Sequence, residues 1–196
     1  AIGDSANRLL LDIYGEVLRG QKDRRWRIEH AQVVSHADVA KFQRYGIVPS
    51  VQPTHATSDM YWAGERLGTE RLKTAYAYQD LLRATGRLAL GSDFPVEYLN
   101  PLFGFHAAVA RQDAKNFPKG GFQMENAISR QAALRGMTEW AAWAAFEDQQ
   151  KGTLTPGKWA DFVILDRDIM TAPAEQLRDA KVLGTYIQGE KVFGPR

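Results

Sequence analysis

Four histidines and no cysteine set the bounds on what chemistry this 196-residue chain can carry. Disulfides, thiolate zinc sites and a cysteine nucleophile are excluded, so any metal must be held by His, Asp or Glu. His30 closes the short β-compatible run 26–31, and Asp93 lies in the tight turn Gly91-Ser92-Asp93-Phe94-Pro95. An imidazole and a carboxylate together suit a hard-to-borderline divalent metal. For Asp93 the competing reading is a turn or helix-capping aspartate. His55, in Gln52-Pro53-Thr54-His55, is positioned to face the same cavity and reads as a substrate contact in preference to a metal ligand. His36 falls in the first turn of a helix and reads as exposed, and His106 stands in an apolar helix as a packed, hydrogen-bonded residue. Strand alternation puts Ile28 and His30 on one face and Arg27 and Glu29 on the other. Glu29 therefore reads as a partner of Arg27 or a residue behind the site, with no catalytic role.

The elements that must position these groups follow from hydrophobic period and punctuation. Leu9, Leu10, Ile13 and Val17 recur at helical spacing behind Asp4 or Ser5 and stop at Gly20. After the strand at 26–31, Ser35 with Asp38 makes a capping pattern, Val39 and Phe42 give an apolar face, and Gly46 supplies a left-handed stop. Residues 47–52 read as a second strand despite Pro49, and residues 53–68 as a long connection. A helix is expected over 69–85, stopped by Gly86, and a third strand over 88–91. Strand, helix, strand, helix, strand is the pattern of right-handed crossovers in a parallel sheet, whose strand ends share one rim. His30, His55 and Asp93 should converge there, where α/β sheets and barrels keep their sites. Beyond Pro101 the chain is helical again, with one alanine-rich helix over 129–146. A strand over 161–166 and a hairpin over 185–193, turning at Gly189-Glu190, end the chain in a small β-rich unit.

At this point the ordered segments AIGDSAN, RIEHAQ, VQPTHATSDMYWAGERLG, LALGSDFPVE and GTLTPGKWADFVILDRD resemble the amidohydrolase superfamily, in its amidohydrolase-3 branch, and are similar to N-substituted formamide deformylases. The resemblance implies an α/β fold: the last three strands, with their helices, of a (β/α)8 metal-dependent hydrolase barrel over 1–150, then a β-sandwich segment over 151–196. It implies that His30 is a metal ligand and that Asp93 is both metal ligand and general base toward a metal-activated water. A divalent metal, zinc foremost, is the implied cofactor. The implied reaction is hydrolysis of non-peptide C–N bonds in a small amide- or formamide-type substrate. The family also implies an HxH pair from the first barrel strand and a histidine directly before AIGD. This chain has no HxH and opens at Ala1, so its ligand set is expected to be incomplete and the chain alone inactive. The alternative is a non-catalytic module that hides an open sheet edge by forming a homo-oligomer or by complementing a partner.

Composition narrows the remaining classes. With 25 basic and 23 acidic residues intermixed, net +2, no broad cationic field is available for nucleic acid. The cluster at 22–27 reads as a solvated turn. No run approaches the roughly 18 apolar residues of a membrane span, and 44% hydrophobic residues suffice for a core. Residues 1–4 lack the basic start and apolar core of a signal peptide, so with no targeting segment in this chain a cytoplasmic location is the expectation. Phosphate loops, GxGxxG, GxSxG and HExxH are all absent.

Overall fold

Ile28, Val48, Val51 and Ala89 are buried on short runs that cannot satisfy their backbone alone, and they solve this by pairing side by side. The computed structural model describes residues 1–195. In chain order it contains α1 (Asp4–Leu18), β1 (Arg27–Glu29), α2 (His36–Tyr45), β2 (Val48–Val51), α3 (Pro53–Asp59), α4 (Ala63–Leu72), α5 (Tyr78–Thr85), β3 (Ala89–Leu90), α6 (Pro101–Ala110), α7 (Arg130–Met137) and α8 (Glu139–Ala144). These are followed by β4 (Phe162–Leu165), β5 (Val182–Ile187) and β6 (Glu190–Phe193). The fold is mixed α/β. Strands β1, β2 and β3 form a parallel sheet in that order, with Glu29 level with Ser50 and Ser50 level with Ala89.

Pro49 is tolerated inside the central strand for a geometric reason. Val48 N–H donates to Trp26 O and Ser50 O accepts from His30 N–H, so these residues of β2 face β1. Pro49 faces the other way, at a level where β3 has not yet begun, and its missing donor leaves no acceptor unserved.

Several elements differ from the periodicity. Residues 53–68, expected as a connection, fold as α3 and most of α4, because Pro53 presets the first helical turn. The helix expected over 69–85 breaks in two. Val34 N–H donates to Thr74 O and Tyr76 N–H to Gln32 O, and these tertiary bonds hold Tyr76 at φ 54°, outside any helix. The alanine-rich helix over 129–146 is likewise interrupted, at Thr138 (φ −124°, ψ −87°). The last hairpin turns one residue earlier than expected, at Gln188 (φ 51°) and Gly189 (φ 83°), the two left-handed positions of a tight turn.

The apolar stripe of α1 also has an unexpected orientation. Leu11 and Leu18 enter the core, whereas Leu9, Ile13 and Val17, four residues apart on one face, are exposed. At the other end, β4, β5 and β6 make one three-stranded antiparallel sheet, with Leu165 packed against the main core and Val163 lining one cavity with Leu134 and Met137 of α7. Val163, Ile164, Ile187, Val192 and Phe193 are open to solvent. The segment between β4 and β5 nevertheless sends Ile169, Leu177 and Ala180 into the same core as Phe105 and Ile28.

Gly46, the stop of α2, is held at φ 68°, and a Cβ there would lie 2.6 Å from Lys22 O and 2.8 Å from Lys22 Cα. Both obstacles are backbone and cannot swing aside. Gly46→Ala is therefore expected to destabilise the fold by about 1–3 kcal/mol, read as a lower urea midpoint at unchanged slope. A midpoint equal to or above the parent's would contradict this account of α2.

Candidate functional site at the strand ends

His30 leaves β1 through two successive left-handed residues, His30 at φ 71° and Ala31 at φ 39°. This bend overturns the alternation expected from the sequence. Ile28 points into the core, but the turn at His30 swings its ring to the same side as Glu29, and both line an open concavity of about 420 Å³ with Arg27, Ser50, Gln52 and Asp93. Glu29 keeps its expected partner, Arg27 Nε, at 3.3 Å.

Asp93 also adopts a left-handed backbone (φ 61°), which an aspartate tolerates better than most residues, and Val96 N–H closes the turn on its carbonyl. Its Oδ2 lies 4.0 Å from His30 Nδ1 and 3.7 Å from His55 Nε2. The two imidazoles are 5.8 Å apart between ring centroids. His55 reaches this point because Gln52 ends β2 as the N-cap of α3 and Pro53 starts the helix, placing His55 in its first turn. Three of the sequence's candidates thus meet at one rim. His36 does not join them and is exposed, and His106 lies in the core with Nε2 3.1 Å from Asn116 Oδ1.

Burial is the largest influence on His55 and pushes its pKa below 6.5; Glu97, Asp59 and Asp93 pull the other way but do not prevail. The ring is therefore neutral near neutral pH, and its Nε2 is buried without a hydrogen-bond partner among the described residues. An orphaned imidazole nitrogen beside a carboxylate and a second imidazole suits an N/O-preferring divalent cation or a polar substrate atom. Among the described residues, however, no group of three or more His, Asp or Glu side chains has the arrangement of a complete metal site. His30 and Asp93 offer an imidazole and a carboxylate, the donor types such a cation takes.

Residues that the sequence reading missed brace this rim. Gln52 Oε1 lies 3.0 Å from His30 Nδ1, and Tyr78 O–H donates to Gln52 O at 3.0 Å. Asp59 accepts from Gln32 Nε2 and Tyr76 O–H, at 2.9 and 2.8 Å. Burial, then Asp59, raises the Tyr76 pKa, so the hydroxyl remains a donor. Arg111, wholly buried, donates to the carbonyls of Tyr76 and Phe122 and to Gln123 Oε1, and its guanidinium sits over the rings of Tyr78 and Phe122. The only sequence signal for these was polar residues in otherwise apolar runs.

Comparison with known proteins gives a consistent answer. A family model described as the amidohydrolase family matches residues 1–193. The Arabidopsis thaliana protein LONG AFTER FAR-RED 3 is 42% identical over 98% of this chain and 33% of its own length. N-substituted formamide deformylase of Arthrobacter pascens is 30% identical over 96% of this chain and 34% of its own length. The crystal structure of an uncharacterized metal-dependent hydrolase from Pyrococcus horikoshii superposes with a TM-score of 0.75 at 31% identity, covering 89% of this chain and 34% of that one. The chain spans about a third of the length of the curated relatives it matches.

The two buried imidazoles give a pH prediction. His55 and His106 both have pKa values pushed below 6.5, chiefly by burial. The unfolded chain therefore binds more protons, and the stability these rings confer is complete above the ordinary histidine pKa and lost as pH falls below it. The urea midpoint should drop between about pH 8 and about pH 5, and His106→Gln should flatten that slope. A midpoint that rises on acidification would count against neutral, buried rings.

Proposed function

Because the chain belongs to the amidohydrolase family, we propose that it forms the C-terminal part of a metal-dependent hydrolase that cleaves non-peptide C–N bonds of small amide- or formamide-type substrates with water. The observation that carries this reading is the meeting of His30, His55 and Asp93 at the carboxyl ends of three parallel strands. In this reading β1, β2 and β3 are the last three strands of a (β/α)8 barrel. Residues 1–150 belong to that barrel, and residues 151–196 are one part of a β-sandwich.

His30 and Asp93 would hold a divalent cation, zinc foremost, with further donors from outside these 196 residues. When bound, the metal supplies Lewis acidity that makes hydroxide accessible near neutral pH. Asp93 accepts the proton released as water attacks the substrate carbonyl and returns it to the departing nitrogen. His55, neutral and with an unserved Nε2, offers the hydrogen-bonding group that a substrate polar atom would satisfy. It orients the carbonyl without binding the metal.

A second reading has its own observation. The exposed stripe of Leu9, Ile13 and Val17 and the exposed Ile187, Val192 and Phe193 of β5 and β6 suit a non-catalytic module that self-associates or complements another chain. Light scattering separates the two: a monodisperse monomer removes it.

The hydrolase reading predicts that a longer chain loaded with zinc hydrolyses N-formyl or simple amide substrates. His30→Ala and Asp93→Ala should each lower kcat/KM by about 100-fold or more, the first through loss of a metal ligand and the second through loss of the proton-transfer group as well. His55→Ala should act mainly on KM. Unchanged turnover in both the His30 and Asp93 variants would reject the assignment.

A further inference from the structure

The imidazole of His30 has two nitrogens in different surroundings, and the difference has a chemical consequence. Nδ1 faces Gln52 Oε1 at 3.0 Å and, further off, Asp93 Oδ2 at 4.0 Å. Both are acceptors, and an amide oxygen has no hydrogen to give, so the hydrogen in the short contact belongs to Nδ1. Nε2 makes no hydrogen bond among the described residues, and the ring lines the open concavity.

We infer that Gln52 is the positioning residue that sets the tautomer of His30, keeping the proton on Nδ1 and leaving the Nε2 lone pair as the metal donor. The inference rests on the reading of His30 as a ligand. Gln52 is suited to the task because it is itself fixed. It is 5% exposed, it joins the end of β2 to the start of α3, and its carbonyl is tied to Tyr78 O–H. Tyr78 in turn is fully buried beneath the Arg111 guanidinium. The brace therefore runs from the helical core through Tyr78 and Gln52 to one nitrogen of His30. A neutral imidazole free in water prefers its proton on Nε2, which would block the donor atom; the Gln52 contact reverses that preference before any metal arrives. Outer partners that orient a ligating histidine in this way strengthen binding without touching the metal.

Long-range 1H–15N spectra of the metal-free 196-residue chain, labelled at histidine and recorded at alkaline pH, read the tautomer directly. His30 should show a protonated Nδ1 and an unprotonated Nε2. Gln52→Glu, which keeps an acceptor, should preserve that form. Gln52→Leu should return His30 to Nε2–H and weaken zinc binding, measured by competition with a chromophoric chelator, by about 10- to 100-fold. An Nε2–H tautomer in the parent protein, or a tautomer indifferent to Gln52→Leu, overturns the inference. A tautomer that follows Gln52 while zinc binding ignores His30→Ala would remove the metal reading and leave the tautomer assignment standing.

Discussion

Unslipped parallel pairing of three short strands is the constraint on which everything at the rim depends. Glu29, Ser50 and Ala89 stand level across the sheet, so His30, Gln52 and the Gly91–Asp93 turn leave it at nearly the same height. Because side chains alternate, a slip of one residue in β1 would withdraw Ile28 from the core and drive Arg27 or Glu29 into it. Burial of Ile28 and Val51 thus fixes the register, and the register fixes which polar groups can meet. The left-handed bends at His30 and Asp93 then aim the two side chains at one another. Such backbone costs of order 1 kcal/mol or more persist where the surrounding packing over-determines them.

Much of this was legible in the residues. Three strands, their parallel order and the convergence of His30, His55 and Asp93 follow from periodicity and the rules of crossover connections. The resemblance to amidohydrolases, carried by the ordered motifs, was met by the family match over residues 1–193. What escaped was local geometry set by distant partners. Side-chain alternation misplaced His30 relative to Glu29 because it assumes extended backbone, and the positive φ of His30 is imposed by tertiary structure. The helix expected over 69–85 splits because Gln32 and Val34 claim the backbone of Tyr76 and Thr74. Gln52 looked like the end of a strand, and only its proximity to His30 gives it a role.

The two uncovered apolar surfaces belong to the same physical account. A helix whose Leu9, Ile13 and Val17 face water, and a sheet whose Ile187 and Phe193 are exposed, both present apolar area to solvent. The chain spans about a third of the length of its curated relatives. The main core runs from Leu11 through Phe105 to Leu177, and Val48, Ala89 and Ala144 form a small cluster of their own.

The central claim is that His30 and Asp93 share one metal ion. Anomalous scattering at the zinc edge, from crystals of a zinc-loaded longer chain, tests it most directly. The account predicts a single strong peak about 2.0–2.2 Å from an imidazole nitrogen of His30 and a carboxylate oxygen of Asp93, with His55 beside the ion and not bound to it. Metal bound elsewhere, or at this rim without contact to both His30 and Asp93, would contradict it.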